Sequence, residues 1–418
     1  MIALSVETEK IREKFSKALN VRQTKKDGRW QMLDAYDRGD QWALTSKPQW
    51  MPKPVTNYLN YIKKYKVASI AVDMLRVKVK PLSIMDTEMT SVLQKIYDNI
   101  IDYTGAKYQY RSAIERAKLL GTGFAMVTFD PNTIRGGTGT NTIGKVIIES
   151  VDPSNVYPDP VAFKFDDCRY VFVSERKSIE YVMSQGLFRD EKTGKPKFSK
   201  EDILNAGNST TRDRGEIYVR DYSTNQSSEL VHFVSYFYKE VDEEGIVHIK
   251  VKYFANWIEL ADMELPYRYF PLYPLYDYEQ SDDIWGLSDC DQIVEMQKNM
   301  NNVESVIATY ATLMQNPQKL VNSASNIDIK KMGALGSAPG MLWEANGDLS
   351  NAVRNLDPPE PSSIVPMYLN TLKEGVHTVT GVNSTYTGMS VGSVTTSSGV
   401  NTLVDRSMAL DKDFRISL

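Results

Sequence analysis

The chain has 418 residues, 42% hydrophobic and 24% charged, an ordinary globular composition with length for two or three folding units. Its net charge of −4 lacks the cation surplus that a tight nucleic-acid binder needs. Two cysteines, Cys168 and Cys290, exclude a disulfide framework and fit a reducing compartment, and no run of about eighteen apolar residues is present to span a membrane unaided.

The charge is uneven. Residues 1–80 hold 17 Lys+Arg against 8 Asp+Glu and the remainder 32 against 45, so a segment of about +9 precedes a body of about −13. A basic segment of this kind serves either an acidic neighbour or plain solvation. In chain order, residues 7–38 read as helical on both sides of a charged break, Lys25-Lys26-Asp27-Gly28, and Pro48, Pro52 and Pro54 keep residues 41–54 a loop. Helix is predicted from Asn57 to Asp73, then a strand through Val77 and Val79 that stops at Pro81. Thr87 to Leu120 reads as two helices. Val92, Ile96, Ile100 and Tyr103 line the first, and Gly105 and Gly121 end them.

Strands are predicted at Phe124–Asp130, Lys145–Val151, Cys168–Ser174, Glu216–Tyr222, Val231–Val241 and Val247–Ala255, with short helices at Ile179–Gln185 and Lys200–Asn205. Tyr267–Tyr278, dense in aromatics and proline, reads as a rigid extended segment. Ser288–Gln315 is predicted to be one helix about 40 Å long, capped by Ser288 and stopped by Asn316-Pro317. Its apolar seam, Ile293, Met296, Met300, Val303, Ile307, Tyr310 and Met314, alternates three and four apart, the spacing of a helix lying along a neighbour. The face around the seam is polar and poor in charge: Gln297, Asn299, Asn301, Asn302, Ser305, Thr309, Thr312. So thin a stripe predicts a strut beside copies of itself, outside any globular core, with a surface helix of a monomer as the plainer alternative.

Past Pro317 a small α/β insert is predicted. It has strands at Lys319–Val321, Gly340–Glu344 and Ala352–Leu356, the last two about an Asn346-Gly347-Asp348 turn, and a helix at Asp328–Leu335. A second long helix runs from Ser362 to Thr380 with Val365, Leu369, Leu372, Val376 and Val379 on one face, and Gly381 ends it. Residues 382–398 read as a flexible loop, and a third helix starts near Ser398 and is still running at Phe414, which predicts a continuation beyond Leu418.

Chemistry-bearing motifs are weak. Gly139-Thr-Asn-Thr-Ile-Gly144-Lys145-Val146 fits a phosphate loop only until Val146, where Ser or Thr is needed, and the residues after it read as a strand. His232, His248 and His377 lack metal-ligand spacing; the first two read as sheet-surface residues. The carboxylates Asp159, Asp166, Asp167 and Asp282, Asp283 read as turn caps before they read as a metal site. No cofactor or metal is expected, and no catalytic residue.

Certain stretches, in order, resemble the portal proteins of tailed bacteriophages. They are DAYDRGDQ (34–41), NYLNYIKKY (57–65), AKLLGTGFAMV (117–127), VDPSNVYP (151–158), FPLYPLYDY leading to GLSD, and TSSG before the last helix. The resemblance implies an α+β, portal-like subunit forming a ring. Its wing would be 1–285 with a helical N-terminal segment, its stem helices 286–315 and 361–380, and its clip 316–360. A tunnel loop would fill 381–397, and a wing helix at 398–418 would lead to a missing or truncated crown. The implied tunnel-loop residues are Ser384, Thr385, Tyr386, Thr387, Gly388, Met389, Ser390, Val391, Gly392, Ser393, Val394, Thr395 and Thr396, and the seam residues would pack the stem. Implied partners are self, as a homo-oligomeric ring of about twelve subunits, and double-stranded DNA passing through the channel. Terminase, the major capsid and scaffolding proteins and a head-tail connector or adaptor would also dock, with no membrane. The implied location is the virion's portal vertex, after assembly in host cytoplasm. The competing readings are a DNA-processing enzyme, nuclease or ATPase, and another phage ring or adaptor component.

Overall fold

The computed structural model describes residues 5–43, 47–71, 78–81, 87–130, 144–184, 198–209, 230–315, 317–335, 344–346, 352–356 and 363–382. The expected strand 216–222, tunnel-loop residues Ser384 to Thr396 and third helix lie outside these.

The N-terminal helix does not break at its charged run. Helix α1 (Val6–Arg22) passes through one π turn, Gln23–Asp27, into α2 (Gly28–Arg38). A π turn widens the helix without ending it, and Arg22 Nε meets Asp27 Oδ1, five residues on, at 3.1 Å. The buried Arg22 guanidinium lies 4.1 Å over the Tyr157 ring, and Lys26 reaches Asp283 at 2.7 Å. Two of the charges that read as a break are paired, Asp27 to Arg22 within the helix and Lys26 to Asp283 of the body.

Helix α3 (Tyr58–Ala71) follows the proline loop. The strand expected at 77–80 is not there among described residues 78–81; Val79 N instead donates to Gln94 at 2.9 Å. Helices α4 (Thr87–Thr104) and α5 (Ala106–Leu120) are separated by Gly105, and Gly121 ends α5, both glycines left-handed. Val92 and Ile96, expected to pack, stay 52% and 50% exposed; among the described residues α4 rests on the body through Tyr97, Ile100 and Ile101.

Strands β1 (Thr122–Asp130) and β2 (Lys145–Val151) form the predicted hairpin, with Val146 inside the strand as the rejected phosphate loop requires. Next come β3 (Val156–Pro158), β4 (Tyr170–Ser178), short helices α6 (Ile179–Ser184) and α7 (Lys200–Ser209), then β5 (Leu230–Val241), β6 (Val247–Ala255) and β7 (Ile258–Leu265). Strands β3 to β7 make an antiparallel meander in chain order. The sequence pattern assigns β7 to no element, since Ile258 is the single β-branched residue of IELADMEL. The turn at Asn256 and Trp257, both at positive φ, folds it back onto β6. The aromatic-proline segment is more than extended: β8 (Leu272–Tyr276) joins β1 at the edge of the first sheet, where Pro274 is tolerated.

Helix α8 (Asp289–Gln315) leads to β9 (Gln318–Val321), α9 (Ile329–Leu335) and β10 (Val353–Leu356), and α10 (Ile364–Thr380) closes the described chain. The partner of β10 is β9, in register Val353 to Val321, so β10 pairs back to the start of the insert; the expected turn residues Gly347 and Asp348 lie outside the described residues. Glu344, expected to end a strand, is not in one. Helix α10 packs along α8 with its predicted face: Leu372 and Val376 are buried in the main core, and Leu369 and Val379 rest against it. That core also gathers Trp30, Leu59, Phe124, Val171, Phe237 and Trp285 between the helices and both larger sheets.

Candidate assembly site: the long helix, its root and its strap

Helix α8 is not a strut outside the core. Its first half is in it: Ile293 and Met300 of the seam are 0% and 1% exposed, with Val294 beside them. Met296 is half-buried against α10, its sulfur 3.5 Å from where a Cβ on Gly375 would sit. Burial then fades toward the C-terminus. Val303 and Tyr310 are intermediate, and Ile307 and Met314 are 39% and 61% exposed. A rod of this length outruns the core that anchors it, so one apolar seam serves two environments.

The root of α8 is built from backbone and buried charge. Ser288 N donates to Asp291 Oδ2 at 2.8 Å and Asp291 N returns a bond to Ser288 Oγ at 3.0 Å, a reciprocal cap. The root sits against the Gly121-Thr122-Gly123 turn. A Cβ on Gly121 would lie 2.3 Å from the Gly286 carbonyl oxygen, and one on Gly123 would lie 2.0 Å from that of Ala113. Only glycine permits these approaches. Gly286 N donates to Thr122 Oγ1 at 2.8 Å, and Trp285 packs edge-on to Trp30 with centroids 5.0 Å apart.

Beneath this turn lie two lysines and two aspartates. Lys66 Nζ is 2.6 Å from Asp289 Oδ2, Lys118 Nζ is 2.7 Å from Asp277 Oδ1, and Lys118 also stands 3.7 Å from Asp289. Asp277 accepts from Asp289 N at 3.0 Å, and Tyr278 OH donates to Asp289 at 2.9 Å. Burial pushes the Asp277 carboxyl up to about 6, against the pull of Lys118. The set is neutral and fully hydrogen-bonded, the condition under which buried ions are tolerated.

The polar face of α8 has a partner inside the chain. Gln297, Asn301 and Ser305, four apart, are all buried. Gln297 donates to Thr56 O at 2.8 Å and accepts from Tyr58 N at 2.9 Å; Asn301 donates to Gln41 Oε1 at 2.5 Å; Ser305 donates to Pro52 O at 2.7 Å. Trp42 Nε1 closes the loop on Pro54 O at 3.0 Å. Prolines 48, 52 and 54 forbid a ladder, so the carbonyls of this loop need side-chain donors, and the helix supplies them. This strap, residues 47–56, was legible only as a loop. Polar residues repeating at i, i+4 and i+8 on α8 were the signal for what it lies on.

Two helix ends leave apolar groups uncovered among the described residues: Val306, Ile307 and Met314 on α8, and Ile364, Met367 and Tyr368 on α10. The candidate chemical groups lie elsewhere. Asp159, Asp282 and Asp283 come together around a cavity of about 40 Å³ with Arg22 and Lys25. Arg169 grips Asp159 at 2.7 Å and Lys26 holds Asp283, so cations are already matched to two of the three, while Asp166 and Asp167 sit in a separate turn. No group of three His, Cys, Asp or Glu among the described residues has metal-holding geometry. His248 does lie at the sheet surface, between Asp242 and Glu264. His232 does not: its Nε2 is 2.6 Å from Ser174 Oγ, its ring meets Phe15 and Trp257, and burial pushes its pKa down to about 4, with the Arg176 charge adding to the shift. His377 Nδ1 bonds the Val382 carbonyl just past the end of α10. Cys168 and Cys290 are buried thiols, and no described helix is long and apolar enough to cross a membrane.

A family profile described as "Phage SU10 portal protein" matches residues 76–411, most of the chain. No curated protein matches it.

Proposed function

We infer, from the premise that this chain belongs to the phage SU10 portal protein family, that it is the subunit of a channel ring at one capsid vertex. Double-stranded DNA is packaged and ejected through that ring. Portal proteins are structural proteins that assemble with capsid components. In the finer reading about twelve copies close the ring, and terminase and head-tail connector proteins dock on it. The division into wing 1–285, stem helices 286–315 and 361–380, clip 316–360 and tunnel loop 381–397 belongs to the same proposal.

The observation that carries the reading is the family match across both long helices, α8 and α10. Their form supports it. They are rooted in the core at one end and expose Val306, Ile307, Met314, Met367 and Tyr368 at the other. An apolar surface of that kind on a rod calls for a neighbour. A two-stranded insert, β9 with β10, is too small to bury a core of its own and gains one from adjacent copies. A conduit must also not grip its cargo, since each phosphate contact adds affinity and drag, and a body of about −13 after residue 80 meets that need.

Native mass and negative-stain imaging of the purified chain test the reading. A closed ring of about a dozen copies is expected. Ile307→Pro, which breaks α8 beyond its buried half, is expected to abolish the ring and leave a folded, soluble body. A parent chain that is monomeric at all concentrations, or a variant that still forms normal rings, overturns it.

A further inference from the structure

The strap over α8 is fixed by its backbone, and it turns an anchor side chain outward. Its carbonyls at Pro52, Pro54 and Thr56 are each taken by a donor from α8 or Trp42. Trp50 nevertheless stands 72% exposed, with Val55 at 38%. Lys53 is exposed, Lys47 sits with its ammonium 4.3 Å over the Trp42 ring, and residues 41–56 contain no acid. A held loop that presents a tryptophan between lysines is pre-organised for a partner that is apolar and acidic.

The chain itself carries a surface of that kind. At the β5–β6 hairpin tip Val241 and Ile246 are 62% and 54% exposed, and Glu243 and Glu244 are exposed beside them. Asp242 is occupied: it accepts from Glu244 N at 2.9 Å and Ile246 N at 2.8 Å, which stiffens the turn and leaves the two glutamates to face outward. Closing a ring requires two different, complementary surfaces on each copy.

We propose that the strap docks a second copy of this chain, which seats its β5–β6 hairpin tip against Trp50, Lys47 and Lys53. The inference rests on the ring reading and names one contact within it. A hydrophobic anchor supplies the affinity, and the opposed charges set the orientation and make the contact salt-dependent.

The test uses the purified full chain alone, so that neither DNA nor a capsid protein is present. Sedimentation across a concentration series at low salt reads the concentration at which rings form. K47E/K53E, E243K/E244K and W50A are each expected to raise it at least tenfold. The variant carrying all four charge reversals is expected to return to within about threefold of the parent, since opposite charges face each other again. Circular dichroism checks folding, and K47Q/K53Q, expected to shift the midpoint in the same direction by less, replaces any reversal that fails to fold. Parent-like rings from both K47E/K53E and W50A overturn the docking site while leaving the ring reading intact. Loss in the single-surface variants without recovery in the combined one overturns the hairpin tip as its occupant. A parent chain that never forms a ring overturns the reading beneath both.

Discussion

Lys66 holds the Asp289 carboxylate at 2.6 Å, and neither side chain is more than 2% exposed. Asp289 is the first residue of α8, so the pair fastens the long helix to α3 where it leaves the core. Lys66→Met leaves the buried carboxylate with the more distant Lys118, at 3.7 Å, and the neutral Tyr278 hydroxyl to compensate. The expected cost is about 3 kcal/mol. Lys66→Met with Asp289→Asn is expected to recover much of it, because no charge is then left unpaired. Thermal melts at fixed protein concentration check both. A single variant that melts with the parent would mean that water reaches the pair.

The strap is expected to depend on α8 side chains rather than on its own sequence. Gln297→Ala removes a donor from Thr56 O and an acceptor from Tyr58 N, which keep only their 2.9 Å bond to each other, at a cost of about 0.5–1.5 kcal/mol per bond lost. Because the loss is local, its sensitive readout is limited proteolysis: cleavage within residues 47–56 rises at least tenfold while the core resists. Equal cleavage in parent and variant would contradict the anchoring.

Two glycines separate geometric need from habit. Gly121 is at φ +88°, with the Gly286 carbonyl 2.3 Å from an added Cβ. Gly121→Ala is expected to cost about 2–5 kcal/mol through strain and overpacking. Gly28 lies in a helix with nothing within 4 Å of an added Cβ, and Gly28→Ala is expected to stabilise by about 0.5–1 kcal/mol. Melting temperatures moving in opposite directions are the check.

His232 gives the five-stranded sheet an acid limit. Its folded pKa of about 4 lies below the ordinary 6.5, so the unfolded chain binds the proton first as pH falls. The contribution is full above about 6.5 and is lost progressively toward 4. His232→Gln keeps a partner for Ser174 and removes the titration. Between pH 7 and pH 5 the parent is expected to lose about 1–2 kcal/mol more than the variant. Parallel melting curves against pH would show that the ring is open to solvent.

Periodicity and punctuation were written in the residues. The bounds of β2 and β6, the Gly105 and Gly121 stops, the extent of α8 and the buried face of α10 all obey local rules: left-handed glycines, proline stops and repeats of two and 3.6. The order of those elements carried the family resemblance. What local rules could not decide was what each face meets. Lys25 to Gly28 reads as a break in any local window, and the distant Tyr157 ring and Asp283 carboxylate hold it as a π turn through a cation–π contact and an ion pair. IELADMEL has helical composition and became β7 because β6 lay ready to pair with it. The uncharged face of α8 reads as that of a strut outside the core, yet Gln297, Asn301 and Ser305 are spent on a proline loop some 250 positions earlier. The sequence determined the elements, because backbone preference acts over a few residues. The tertiary structure decided their partners, because burial and hydrogen-bond satisfaction are settled between segments far apart in the chain.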